Sequence, residues 1–200
     1  MLLAGGRAEA QDDPPPIGRF VVDLRGTFPG FPSESSLAES RGLSLAELPG
    51  RGLGVDADAH VYVFTWKAVT VGLGGQFTAA RATRTPPAGS GLRRVTEQFI
   101  SVAPQVSLNF GTGNGWSYIS GGLGRATWSI VPEGQGRGPA DLERLGTRNY
   151  GAGARWFVRP HLAFTFDVRF YEIDPGTPQA GYPGSPRTTF VIMGAGISIR

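Results

Sequence analysis

The chain has no cysteine, one lysine, two histidines and no apolar run long enough to be a membrane-spanning helix. Without cysteine, neither a disulfide framework nor a thiolate metal site is open to it. Of the 19 basic residues only Lys67 is a lysine, and the arginines are scattered along a chain of net charge +3. With no dense basic run, a nucleic-acid partner has little support and none is expected. A transmembrane helix needs about 18 or more consecutive apolar residues and none is present. That absence leaves membrane strands open, because a barrel strand needs an apolar residue only at every second position.

What the chain does have is 31 glycines and 16 prolines, concentrated at turns between alternating segments. This distribution describes an all-β chain rich in turns. At 200 residues it reads as one domain behind a leader. Met1-Leu2-Leu3-Ala4 is a short apolar stub and Ala8-Glu9-Ala10 an A-x-A cleavage pattern. Residues 1–10 are therefore expected to be the remnant of a secretory signal, 11–17 a periplasmic lead-in, and 18–200 the folded domain.

Eight strand-like segments follow: Gly18–Arg25, Gly52–Phe64, Ala68–Thr83, Val95–Phe110, Trp116–Ile130, Arg148–Val158, His161–Ile173 and Arg187–Arg200. Short connections at Thr65-Trp66-Lys67, Gly111–Gly115 and Arg159-Pro160-His161 alternate with long ones at Gly26–Gly50, Arg84–Arg94, Val131–Thr147 and Asp174–Pro186. An even number of antiparallel strands with short turns on one side and long loops on the other predicts an eight-stranded, antiparallel, up-and-down transmembrane β-barrel. In the first long loop, Ser36-Leu37-Ala38-Glu39 and Ser44-Leu45-Ala46-Glu47 are both Ser-x-x-Glu patterns, where a short helix can start. Pro104 inside the fourth segment is expected to mark a bulge or weaken the strand.

The alternation assigns two faces. The apolar face is expected to meet lipid, with Trp66, Phe110, Trp116, Tyr118 and Trp156 forming an aromatic band near the short turns and Trp128, Tyr150 and Phe170 a second near the long loops. Trp116 and Trp128, 12 residues apart, would lie roughly 30 Å apart along the axis at about 3.3 Å per residue and a tilt of about 40°. The polar face collects Asp23, Arg25, Asp56, Asp58, His60, Glu97, Arg155, Asp167 and Arg169. An eight-stranded lumen is only wide enough for side chains to fill. Isolated buried charge is costly, so these groups are expected to pair into a plug. Gly121-Gly122-x-Gly124 is not a phosphate loop, since no helix and no Lys-Ser/Thr pair follows it.

The segment Asn149-Tyr150-Gly151-Ala152-Gly153-Ala154-Arg155-Trp156-Phe157-Val158-Arg159-Pro160-His161-Leu162-Ala163, continuing to Phe166-Asp167-Val168-Arg169, resembles a strand-turn-strand hairpin of the OmpA-like outer-membrane β-barrel family. The likeness is firm over about residues 145–172 and looser over strands two, three and eight. It implies a bacterial outer-membrane location, contact with outer-membrane lipids, and insertion by the barrel assembly machinery. Members usually end in an aromatic residue, whereas this chain ends Ile197-Ser198-Ile199-Arg200. The motif is one of fold, so it carries no catalytic residues and no cofactor.

Four functions follow from these expectations. The first is a non-enzymatic structural or surface-interaction barrel whose four loops meet an unidentified extracellular partner. The others are a small-solute channel, a lipid A-modifying barrel enzyme, and a soluble lipocalin-like binder. An enzyme of that type needs a histidine base, and only His60 and His161 are available. His60 sits among lumenal polar residues and His161 in a short turn. Asp56, Asp58 and His60 provide too few oxygen ligands for a hard cation. The charged lumen argues against an open channel. The leader, aromatic bands and loop asymmetry argue against a soluble binder.

Overall fold

The computed structural model describes residues 17–200. The expected signal remnant (1–10) and almost all of the lead-in (11–17) lie outside the described residues. The chain forms one closed barrel of eight strands, each antiparallel to its sequence neighbours: β1 (Phe20–Gly30), β2 (Leu53–Trp66), β3 (Val69–Arg84), β4 (Val95–Thr112), β5 (Gly115–Pro132), β6 (Arg144–Arg159), β7 (Leu162–Ile173) and β8 (Thr188–Ile199). β1 closes the sheet onto β8 in a register running from Val22↔Ile199 to Gly30↔Val191. Every strand thus has two neighbours, and no edge is left with unpaired backbone groups.

Three two-residue turns join β2–β3, β4–β5 and β6–β7. Lys67 takes a positive φ of 53° in the first of them, a conformation that tight hairpin turns require. Single-residue bulges next to two of these turns, between Tyr62 and Phe64 and between Phe157 and Arg159, add local twist. Pro104 creates no bulge. The β4–β5 register continues from Val102↔Arg125 to Gln105↔Gly122 while the ladder skips the residues between.

Several strands rise further on the long-loop side than the sequence suggests. β1 extends to Gly30 through Gly26, Thr27, Phe28 and Pro29, and β6 begins at Arg144 through Gly146. Glycine and proline read locally as loop. Here cross-strand pairing outweighs local preference: Phe28–Gly30 continue the ladder with β8, and Arg144–Gly146 continue the ladder with β5. In the first long loop α1 spans Ser35–Ser40 with Glu34 as its N-cap, so Ser36 is not the cap. Ser44 does start a 3-10 turn over Leu45–Glu47, with Glu47 Oε2 accepting from the Ser44 backbone nitrogen at 2.8 Å and from Ser44 Oγ at 3.1 Å. A further short helix, α2 (Pro139–Leu142), lies in the third long loop.

The outer wall is apolar. Val22, Leu24, Val55, Val61, Leu73, Val102, Val106, Ile119, Phe164, Phe166, Met193 and Ile197 are all exposed. On β4 this surface runs from Ile100 to Phe110, which at about 3.3 Å per residue and a tilt of about 40° is a band ~25 Å tall. Exposed apolar area on this scale, wrapped around a polar interior, reverses the arrangement of a soluble barrel and suits hydrocarbon.

Replacing outward-facing Phe166 with arginine is expected to cost roughly 2–4 kcal/mol of insertion free energy near the bilayer midplane. The measurement is the boiling-dependent gel shift of detergent-refolded protein, which Phe166→Arg should weaken or abolish.

Candidate functional site

The barrel interior is the concave, polar part of the molecule, and it is built in two storeys. The storey nearer the short turns holds the ionic groups. Strand alternation turns Asp23 and Arg25 of β1, Asp56, Asp58 and His60 of β2, Arg155 of β6, and Asp167 and Arg169 of β7 into the lumen, where all are buried. The β1–β2 register places Arg25 across from Asp56 but sets two carboxylates, Asp23 and Asp58, opposite each other. Guanidiniums resolve that clash. Arg25 donates to Asp56 Oδ1 from Nη2 at 2.8 Å, and the same nitrogen meets Asp58. Arg155 grips Asp23 in a two-pronged pair, with Nε to Oδ1 at 2.9 Å and Nη2 on Oδ2.

Neutral donors extend the network, leaving Asp58 Oδ1 and both His60 ring nitrogens buried without a hydrogen-bond partner. Asp56 Oδ2 accepts from Gln76 Nε2 at 2.5 Å and Thr78 Oγ1 at 2.6 Å. Asp167 accepts from Tyr118 Oη at 2.8 Å and pairs with Arg169 at 3.1 Å. Arg155 also lies over the Tyr118 ring, 4.0 Å from its centroid. His60 Nδ1 is 3.6 Å from Asp58 Oδ1, beyond a hydrogen bond. Arg25, Arg155 and Arg169 are each 1% exposed. A water-filled passage beside them would leave those groups accessible.

The second storey, towards the long loops, is apolar, which the sequence reading missed. Phe99, Trp128, Tyr171, Phe190 and Ile192 point inward and meet Phe31, Leu37, Leu43 and Leu48 of the first long loop in one buried cluster. Phe190 is its hub, edge-on to Phe99 at 4.9 Å and packed on Phe31 at 5.4 Å and Tyr171 at 5.8 Å. Glu97 belongs to this storey and not to the ionic network. It accepts from Trp128 Nε1 at 2.8 Å. Above it, Arg41 Nη2 donates to the carbonyls of Trp128 and Ala140, both at 3.3 Å, and its Nη1 lies 3.7 Å from Asp141. Arg41 was legible only as a loop residue.

The aromatic bands need correction. Trp66, Phe110, Tyr150, Trp156 and Phe170 face outward. Trp116, Tyr118 and Trp128 face the lumen and are 3%, 2% and 0% exposed. The spacing of Trp116 and Trp128 therefore measures the interior, not the lipid band. The reason is the phase of β5. Tyr118 pairs with Asn109 on one side and Gly153 on the other, and directly opposed residues share a face of the sheet. Gly153 provides the room: a Cβ there would stand 2.5 Å from the Tyr118 hydroxyl. At the short-turn end Trp116 stacks on Phe157 at 4.8 Å, and the Arg200 guanidinium covers Phe157 at 3.9 Å, anchored by its Nε on the Pro160 carbonyl at 2.7 Å.

Charge latches hold the loops. Arg93, between β3 and β4, donates from Nε (2.8 Å) and its backbone nitrogen (3.0 Å) to Glu47 Oε1, tying the first long loop to the second. Glu143 accepts from Thr177 Oγ1 at 2.6 Å, tying the third to the fourth.

No protein-family model and no curated protein matches the sequence. Solved structures do match the fold. Neisserial surface protein A is 13% identical over 91% of this chain and 97% of its own, with a TM-score of 0.60. Ail of Yersinia pestis is 12% identical over 90% and 96%, with a TM-score of 0.49. The N-terminal β-barrel domain of Pseudomonas aeruginosa OprF is 12% identical over 90% and 96%, with a TM-score of 0.47. Closed topology, an apolar outer wall and a buried ionic network inside it define a transmembrane barrel of the outer-membrane type. More narrowly, the chain carries the eight-stranded, OmpA-like outer-membrane barrel fold.

Two predictions test the interior and its lid. Arg155→Met should destabilise the barrel by about 3–5 kcal/mol by stranding Asp23, and adding Asp23→Asn should restore part of that loss. Urea unfolding in micelles, followed by tryptophan fluorescence, measures both. Arg93 holds the Glu47 carboxyl below its usual 4.5, at about 2. A lowered value means the latch contributes stability above about pH 4.5 and loses it as pH falls towards 2. Hydrogen exchange at Leu37 and Leu48 should accelerate across that window in the wild type and show no such step in Glu47→Gln.

Proposed function

We propose that the protein is a non-enzymatic outer-membrane barrel that holds four loops at the cell surface as a rigid interaction platform, with its lumen closed to solutes. The observation that carries this reading is the interior itself. Three lumenal guanidiniums are withdrawn from water, and the first long loop fills the other half with apolar side chains. An ordered, latched loop layer above a solid body suits presentation better than transport. The short turns face the periplasm and the long loops the exterior, as is usual for such barrels. Insertion by the barrel assembly machinery and a partner held by the loops belong to the same proposal.

The chain lacks cysteine, so one introduced thiol reports its own position. Ser90→Cys, between β3 and β4, should react with a membrane-impermeant maleimide on intact cells. Asn114→Cys, in the β4–β5 turn, should react only after the outer membrane is opened. The reverse pattern would overturn the orientation. In planar bilayers the wild type should give no single-channel steps, and regular steps would favour the small-solute channel.

A further inference from the structure

Two grooves on the outer wall meet at the upper limit of the apolar band. The first, about 440 Å³, is lined by Arg81, Arg94, Thr96, Gln98, Ser129 and Arg137 among others. The second, about 480 Å³, is lined chiefly by Leu53, Val55, Ala79 and Ile100, and it shares Arg81 and Gln98 with the first. The β3–β4 register makes the junction explicit. Ala79↔Ile100 is one outward pair, and Arg81↔Gln98 is the next outward pair towards the loops. The step between them is ~5 Å along the axis at about 3.3 Å per residue and a tilt of about 40°. Each headgroup layer of a bilayer is roughly 5–7 Å deep, so Arg81 stands in it while Ile100 stands in hydrocarbon.

The charges in the upper groove are not balanced. Among the described residues Arg81 makes no ion pair. Arg94 lies 3.6 Å from Glu133, and Arg137 donates to the neutral Gln98 amide. Three guanidiniums thus face one carboxylate. The groove is recessed: Ser129 lies on the outward phase of β5, yet it is only 5% exposed.

We propose that this double groove binds a phosphate-bearing anionic lipid of the outer leaflet. The phosphate lies on Arg81, Arg94 and Arg137, and an acyl chain lies along Val55, Ala79 and Ile100. Guanidinium forks match phosphate oxygens in charge and geometry. The small Ala79 side chain leaves the lower groove open to a chain. The proposal rests on the outer-membrane reading and adds a specific site to it.

The test is native mass spectrometry of the full chain refolded in zwitterionic detergent. The probes are bis-phosphorylated lipid A, the same lipid with its phosphates removed, and inorganic pyrophosphate. The wild type should retain the phosphorylated lipid. Loss of the phosphates, or the pair Arg81→Gln with Arg137→Gln, should weaken retention about tenfold. Arg159→Gln, at the short-turn end, should leave retention unchanged. Ala79→Phe, which fills the lower groove, should weaken the lipid and leave pyrophosphate unaffected. Equal retention by wild type and the double arginine variant would overturn the site. Full displacement of lipid by an equal concentration of pyrophosphate would overturn the acyl groove. Arg137 lies in a loop, so Arg137→Gln alone decides the matter if the Arg81 variant does not fold. A wild type that shows no boiling-dependent gel shift would count against the membrane barrel itself, a result separate from any loss of lipid retention.

Discussion

Closure of β1 onto β8 is the constraint from which the remaining features follow. In hydrocarbon an unpaired backbone N–H or C=O has no water to turn to, so a sheet can exist there only if its two edges satisfy each other. The ladder from Val22↔Ile199 to Gly30↔Val191 does this. Once the circle is closed, every strand has a fixed inside and outside, and a side chain's place follows from its parity alone. Eight strands also fix the bore. The space within is the size of packed side chains, and the residues on the inward phase must fill it or stabilise one another.

The interior solves that problem in two ways at two heights. Near the short turns, four carboxylates and three guanidiniums from β1, β2, β6 and β7 pair with one another, with Gln76, Thr78, Tyr118 and Ser198 donating to Asp56, Asp167 and Asp23, while Asp58 Oδ1 has no hydrogen-bond partner. A buried network of this kind contributes little net stability but is costly to break, so it specifies register more than it stabilises. Near the long loops, Phe99, Trp128, Tyr171 and Phe190 form a small core that needs a lid, and Leu37, Leu43 and Leu48 provide it. The ordered first loop is thus part of the packed interior. The Glu47–Arg93 latch extends that order to its neighbour.

The outer wall carries a third pattern. Its apolar band ends abruptly on β3 and β4, where Ala79↔Ile100 gives way to Arg81↔Gln98. Beside that step Arg81, Arg94 and Arg137 line one groove, the feature on which the proposed lipid site rests.

Much of this was legible in the residues. Period-two alternation in His161–Ile173, short turns against long loops, and the absence of any apolar run together give eight strands and a membrane barrel, because parity and turn chemistry are local properties. The inward phase of Asp23, Arg25, Asp56, Asp58, Arg155, Asp167 and Arg169 is local in the same sense, since charge is expelled from a lipid-facing wall. What the sequence could not decide was the phase of β5. There both faces carry large apolar side chains, and the aromatic one, with Trp116, Tyr118 and Trp128, was the more hydrophobic. Only pairing with Asn109 and Gly153 turns Tyr118 inward. The apolar upper storey was hidden for a related reason, as its members come from six strands and a loop far apart in the chain. Parity is set along one strand and can be read there. Which face is the inside, and what seals it, is set by cross-strand register and by loop residues that meet only when the circle closes.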